Sequence, residues 1–164
     1  MEFIKAKTIL NRVKFGDEWF GLDYNFNLYR GCPHGCIYCD SRCDYYGIEN
    51  FERVRAKENY IEIFERELSS KRNLGVVGIG AMSDAYNHAE EKYKLTRQAL
   101  KLLSKYFFGV SIETKSKMII RDIDILQEIA LKNNVITKMT ITTPKDYLAK
   151  KIESFVSNSS ERYY

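Results

Sequence analysis

The sequence predicts an α/β domain built on a parallel sheet, and three observations carry that prediction. Short apolar runs alternate with segments of helical periodicity, strand then helix, four times between Tyr24 and Phe155. One of these runs, Val76 to Ala81, is short and continuous, as expected of a strand covered on both faces. The polar stretches with reactive side chains follow strands rather than helices, where parallel sheets gather their ligands. A chain of 164 residues supports one core. Its 45% hydrophobic and 29% charged residues are those of a folded soluble domain, not a disordered one. The formal charge of +4 has no like-charged block behind it, so it permits contact with anions without arguing for it. Met1-Glu2-Phe3-Ile4-Lys5 has no apolar segment behind it to make a secretory leader. No apolar run approaches the roughly 18 residues of a membrane span. A cytoplasmic protein with reduced thiols and no membrane partner is expected.

Residues 1–23 read as an N-terminal extension holding a short strand and a turn at Phe15-Gly16-Asp17, ahead of Glu18-Trp19-Phe20. Tyr24 to Tyr29 alternates apolar and polar residues, the period of a half-buried strand. It leads straight into a glycine- and cysteine-rich loop. Ile61, Phe64 and Leu68 recur at helical spacing between Glu58 and Ser70, and Asn73-Leu74-Gly75 breaks that helix. Val76 to Ala81 is a second strand, and Met82 to Glu90 is polar and loop-like. Leu95, Ala99, Leu102, Leu103 and Tyr106 form the stripe of a second helix, followed by a third strand at Gly109 to Thr114. Ile119, Ile123, Leu126, Ile129 and Ala130 mark a third helix ending at Asn133-Asn134. A fourth strand, Thr137 to Thr142, stops before Pro144, and a last helix runs from about Asp146 to Phe155. The domain proper is then 24–156, and 157–164 is a polar tail expected to fray.

The loop after the first strand reads Gly31-Cys32-Pro33-His34-Gly35-Cys36-Ile37-Tyr38-Cys39, a C-x3-C-x2-C spacing. All four cysteines of the chain lie between Cys32 and Cys43. In a reducing compartment such packing points to metal rather than disulfides. Three thiolates from one tight loop suit a cubane iron–sulfur cluster with its fourth iron left open. A zinc site completed by Cys43 is the rival, although four ligands this close in sequence crowd a tetrahedron. Cys43 is otherwise a free thiol; bound to the fourth iron it would leave only an electron carrier. Gly78-x-Gly80 is not a dinucleotide fingerprint, because Ser83 stands where the third glycine belongs. Arg121 and Asp122 read as a pair that starts a helix, His88 as a surface residue, and His34 either as a shield for the cluster or a substrate contact or as a solvated loop histidine.

The cysteine loop, with Tyr38 before its third cysteine, resembles the cluster motif of the radical S-adenosylmethionine (SAM) enzymes. Ser83-Asp84-Ala85-Tyr86-Asn87 with Glu90, Thr114-Lys115-Ser116, Arg121 to Leu126 and Thr140-Ile141-Thr142-Thr143 follow in an order similar to the spore photoproduct lyase group. The resemblance covers Tyr24 to Glu153 and implies a (β/α)6-type barrel, of which about four βα units are present. It implies a 4Fe–4S cluster on Cys32, Cys36 and Cys39, with SAM on the open iron. It further implies reductive cleavage of SAM, then hydrogen abstraction from a substrate, either a nucleic acid or a small molecule. Tyr38 would flank the adenine, and Ser83 and Asp84 would contact amino or ribose groups. Lys115 would take the methionine carboxylate and Thr140 the ribose or carboxylate side, with Thr142 a further cofactor-binding residue. Gly78 and Gly80 would let the second strand approach the ligand closely. Where the lyase carries a hydrogen-donating cysteine, Ala81 and Met82 stand, so thymine-dimer repair is not implied. An electron donor such as flavodoxin or ferredoxin is an implied partner. The open sheet edge calls for self-association or a closing partner. No catalytic residue is assigned. A non-catalytic iron–sulfur protein acting with a partner chain is the competing expectation.

Overall fold

A computed structural model describes residues 1–17 and 21–163, with side chains of 14–17 left undescribed. Glu18, Trp19 and Phe20, placed after a turn by the sequence, lie outside the described residues. Eight strands and six α-helices are seen among those described: β1 (Glu2–Lys5), β2 (Asn11–Asp17), β3 (Leu22–Phe26), β4 (Tyr29–Arg30), β5 (Arg55–Glu58), α1 (Tyr60–Ser69), β6 (Val76–Ile79), α2 (Ala89–Tyr93), α3 (Leu95–Lys105), β7 (Gly109–Thr114), α4 (Ile123–Ala130), β8 (Val135–Met139), α5 (Asp146–Ile152) and α6 (Ser159–Tyr163).

The fold is mixed α/β with two sheets. The larger has the order β2-β3-β6-β7-β8, and its last four strands are parallel. These are the four strands the apolar runs predict, each within about two residues of its expected start. β6 is buried at every position, which is why its run Val76-Val77-Gly78-Ile79 shows no alternation. β2 adds an antiparallel edge, so part of the expected extension belongs to the sheet. The turn expected at 15–17 is instead the end of β2, with the chain reversing only after Asp17. The smaller sheet, β1-β5-β4, is absent from the sequence reading. Its strands are too short to show a period.

That small sheet changes the entry to the cysteine loop. β3 ends at Phe26, and the chain crosses to the other sheet through β4 before Gly31, rather than running on as one strand from Tyr24 to Tyr29. Phe64 and Leu68 of α1 and Ala99, Leu100 and Leu103 of α3 pack with Phe26, Val77, Val110 and Ile112 into the core. The third helix is out of the expected phase. Lys117–Asp122 is 3₁₀, with about three residues per turn, so α4 starts rotated. Ile125, Leu126 and Ile129 are buried, whereas Ile123 and Ala130 face solvent.

The last helix stops at Ile152, short of Phe155, because Glu153 turns extended and bridges to Cys36. The tail is not frayed over its described length. Ser159–Tyr163 is helical, and Arg162 inserts a buried guanidinium onto Glu153 at 2.8 Å. No described helix is long and apolar enough to cross a membrane.

Candidate functional site

A cavity of about 480 Å³ opens at the carboxyl ends of the parallel strands. Cys32, Cys36 and Cys39 line it together with Tyr38, Ser83, Asp84, Lys115 and Thr140. Five of the six expected cofactor residues thus share one cavity with the three expected cluster ligands. Thr142, the sixth, is outside the lining but reaches Tyr38, its Oγ1 lying 3.2 Å from the phenol oxygen. Cys43 is exposed and is also outside the lining.

Local chemistry places these groups. Gly31 has φ of +83°, and a Cβ there would stand 2.4 Å from the Phe51 carbonyl, so only glycine opens the cysteine loop this way. The Cys32 amide then donates to that carbonyl at 2.8 Å, fixing the first cysteine. Burial pushes the Cys32 thiol up to about 11 and raises that of Cys36 as well. At the end of β6, Gly80 has φ of +105°, and a Cβ there would lie 2.2 Å from the Glu113 carbonyl. Gly78 does something else. Its missing side chain makes room for Leu22, 2.7 Å from the Cβ position, rather than for a ligand.

Ser83 and Asp84 bind the protein itself as well as facing the cavity. Ser83 Oγ donates to the Gly31 carbonyl at 2.6 Å, joining the β6 loop to the cysteine loop. Asp84 accepts from the Tyr86 amide at 2.8 Å, the Thr114 hydroxyl at 2.7 Å and the Lys115 amide at 2.8 Å. The turn role and the site-facing role of Asp84 therefore coexist. Lys115 places its ammonium 5.8 Å from the Tyr38 ring centroid, a cation over an aromatic face.

Two further residues belong to this region: His34, which the sequence left open between a role at the site and a solvated loop position, and one the sequence missed. His34 is buried at 3% exposure, with Nδ1 3.5 Å from Asp84 and its ring 5.6 Å from the exposed His88. Burial lowers its pKa, which keeps the imidazole neutral near pH 7. Glu153 is the second. Burial pushes its carboxyl up, but the Thr142 hydroxyl at 2.5 Å, the Tyr38 phenol and Arg162 outweigh that and hold the pKa below its ordinary value. A glutamate ending a lysine-rich helix carries no sequence signal for this role.

Behind the Ser83–Asn87 loop lies a buried ionic cluster. Glu90, fully buried, accepts from the Tyr29 phenol at 2.5 Å, the Thr96 amide at 3.0 Å and Arg121 at 2.7 Å. Asp122, also fully buried, accepts from Arg97 and from Arg121, each at 2.7 Å. The expected Arg121–Asp122 pair at a helix start is present, inside this larger cluster.

Among the described residues no three His, Cys, Asp or Glu side chains already form a metal-holding group. What the cavity offers is a donor set, three thiols on one wall beside a lysine, which is chemically suited to an iron–sulfur cluster.

Comparison with known proteins gives relatives without assigned function. An uncharacterized protein of Methanocaldococcus jannaschii is 32% identical over 162 residues, covering 97% of this chain and 58% of its own length. Uncharacterized proteins of Mycobacterium bovis and Mycobacterium tuberculosis are 29% identical over 160 residues, covering 92% of this chain and 46% of theirs. The chain spans about half the length of the curated relatives it matches. No family model matches it, and no solved structure does.

Proposed function

We propose that this chain is a radical SAM protein, or part of one, that holds a 4Fe–4S cluster on Cys32, Cys36 and Cys39 and cleaves SAM reductively. One observation carries the reading: three thiols and five side chains expected to hold SAM line a single cavity at the carboxyl ends of parallel strands. The four parallel strands are read as the greater part of a (β/α)6-type barrel, completed by further chain or by a partner at the β8 edge.

Cys32, Cys36 and Cys39 would hold the cluster, which when bound would supply the one-electron reduction needed to cleave SAM. The protein's part is positioning and exclusion of water. The Lys115 ammonium is placed for a carboxylate, held against the Tyr38 ring. That ring offers its face to an adenine. Ser83, with its proton given to Gly31, presents oxygen lone pairs to an amino group. Thr140 closes the ribose side at the end of β8. Buried, neutral His34, which lines the cavity beside Asp84, helps keep water from the thiols.

The test is anaerobic reconstitution with iron and sulfide, followed by electron paramagnetic resonance of the reduced protein with and without SAM. The expected outcome is a 4Fe–4S signal that changes with SAM, together with formation of methionine and 5′-deoxyadenosine. Cys32→Ser, Cys36→Ser and Cys39→Ser should each lose the cluster, while Cys43→Ser keeps it. A signal indifferent to SAM would instead leave an electron carrier. Stoichiometric zinc without iron would end the reading.

A further inference from the structure

A second cavity, of about 340 Å³, adjoins the first and shares Tyr46, Met82 and Ser83 with it. The small sheet builds its wall. Lys5 ends β1, Lys7 follows it, Arg30 ends β4, and Lys57 lies in β5. Four basic residues therefore contribute to one lining, the Arg30 guanidinium also donating to the Gly47 carbonyl at 2.8 Å, and no Asp or Glu among the described residues lines it.

None of the four forms an ion pair among the described residues, although cations elsewhere are matched. Arg42 pairs with Glu52, Arg53 with Glu2 and Lys105 with Glu65. Glu67, the carboxylate that acts on Lys57, is outside the wall and accepts the Ile9 and Leu10 amides at 3.0 and 2.8 Å. Burial lowers the Lys57 pKa, and Arg30 lowers it further against the pull of Glu67. Like charges gathered with only the more distant Glu67 to offset them raise the folded state's energy, and an anion in their midst lowers that cost.

We propose that this cavity binds a phosphate group of a phosphorylated substrate, leaving the rest of that molecule to pass Met82 and Ser83 into the cysteine-lined cavity. A phosphate carries about two negative charges and needs more than one cation, which a single carboxylate does not. Its service to a substrate rests on the function proposed above, whereas its affinity for phosphate does not. The sequence hides the site because residues 5, 7, 30 and 57 meet only when β1 and β4 flank β5.

The experiment is titration calorimetry on the full chain without iron, using inorganic phosphate, adenosine monophosphate and a short single-stranded DNA as probes. Independence from iron separates this test from that of the cluster. Binding is expected to weaken with salt, and Lys7→Gln and Lys57→Gln should each reduce it about tenfold or more. Lys101→Gln, on the exposed face of α3, should bind like the parent. Exposed Lys7 keeps the test valid if Lys57→Gln fails to fold. Equal affinity for the mononucleotide and the DNA assigns a small phosphorylated ligand, and much tighter DNA binding assigns a strand. Binding of none of the three probes, or binding unchanged in both lysine variants, overturns the proposal.

Discussion

The Glu90 cluster and the cysteine-lined cavity are both rich in polar groups and sit on opposite sides of the Ser83–Asn87 loop. In the cluster every charge has an oppositely charged partner at hydrogen-bond distance, and the two carboxylates are sealed from water. In the cavity the thiols and the Lys115 ammonium have no such partners among the described residues, although nearby Asp84 is engaged by the Tyr86 and Lys115 amides and the Thr114 hydroxyl. Density of buried polar residues therefore does not mark a site; unsatisfied capacity around a space does. The cluster is read as the brace and the cavity as the site it holds.

The largest effect should come from breaking the brace. Glu90→Ala leaves the buried Tyr29 phenol and the Thr96 amide without their acceptor, while Arg121 keeps Asp122. Urea unfolding should show a loss of about 2–6 kcal/mol, at about 1–3 kcal/mol for each buried donor left unpaired. A loss below 1 kcal/mol would mean the cluster carries little load and would dissolve the contrast. Next is the cavity rim. Gly80→Ala forces a Cβ toward the Glu113 carbonyl at a positive φ and should cost about 1–3 kcal/mol by the same measurement. Unchanged stability would show that the end of β6 is not held against β7.

The smallest effect sharpens the comparison through pH. Arg97 holds the Asp124 carboxyl down to about 2, against an ordinary 3.8. A folded-state pKa below the unfolded one gives stability that is present above the unfolded value and lost as pH falls through the folded value. Asp124→Asn should therefore flatten the fall in thermal midpoint between about pH 4 and pH 2. An acid limb identical to the parent's would mean the exposed edge of the cluster adds nothing.

The order and type of the main elements were legible because their causes are local. A strand buried on both faces favours a continuous apolar run, and Val76–Ile79 has one, whereas Gly109–Thr114 shows only Val110 and Ile112 among polar residues. An amphipathic helix needs a stripe, and Phe64 with Leu68 or Ala99 with Leu103 supplies it. The cysteine spacing was legible for the same reason, since three thiols in one loop are neighbours whatever the rest of the chain does. Long-range pairings were not. Nothing in Ser157-Asn158-Ser159-Ser160 announces a docked helix, because α6 is held by Arg162 reaching Glu153 and the Thr140 carbonyl. The rotated face of α4 depends on the 3₁₀ turn before it, and the small sheet on strands too short to show a pattern.

By itself, then, the sequence determined the α/β class, the four parallel strands and the cysteine loop, all products of residues near one another in the chain. Only the tertiary structure decided that Tyr38, Ser83, Asp84, Lys115 and Thr140 share a cavity with that loop, that His34 and Glu153 are buried beside it, and that four distant cations line its neighbour. Those facts depend on which strand ends converge. Convergence is set by sheet order and burial across the whole chain, which no local pattern encodes.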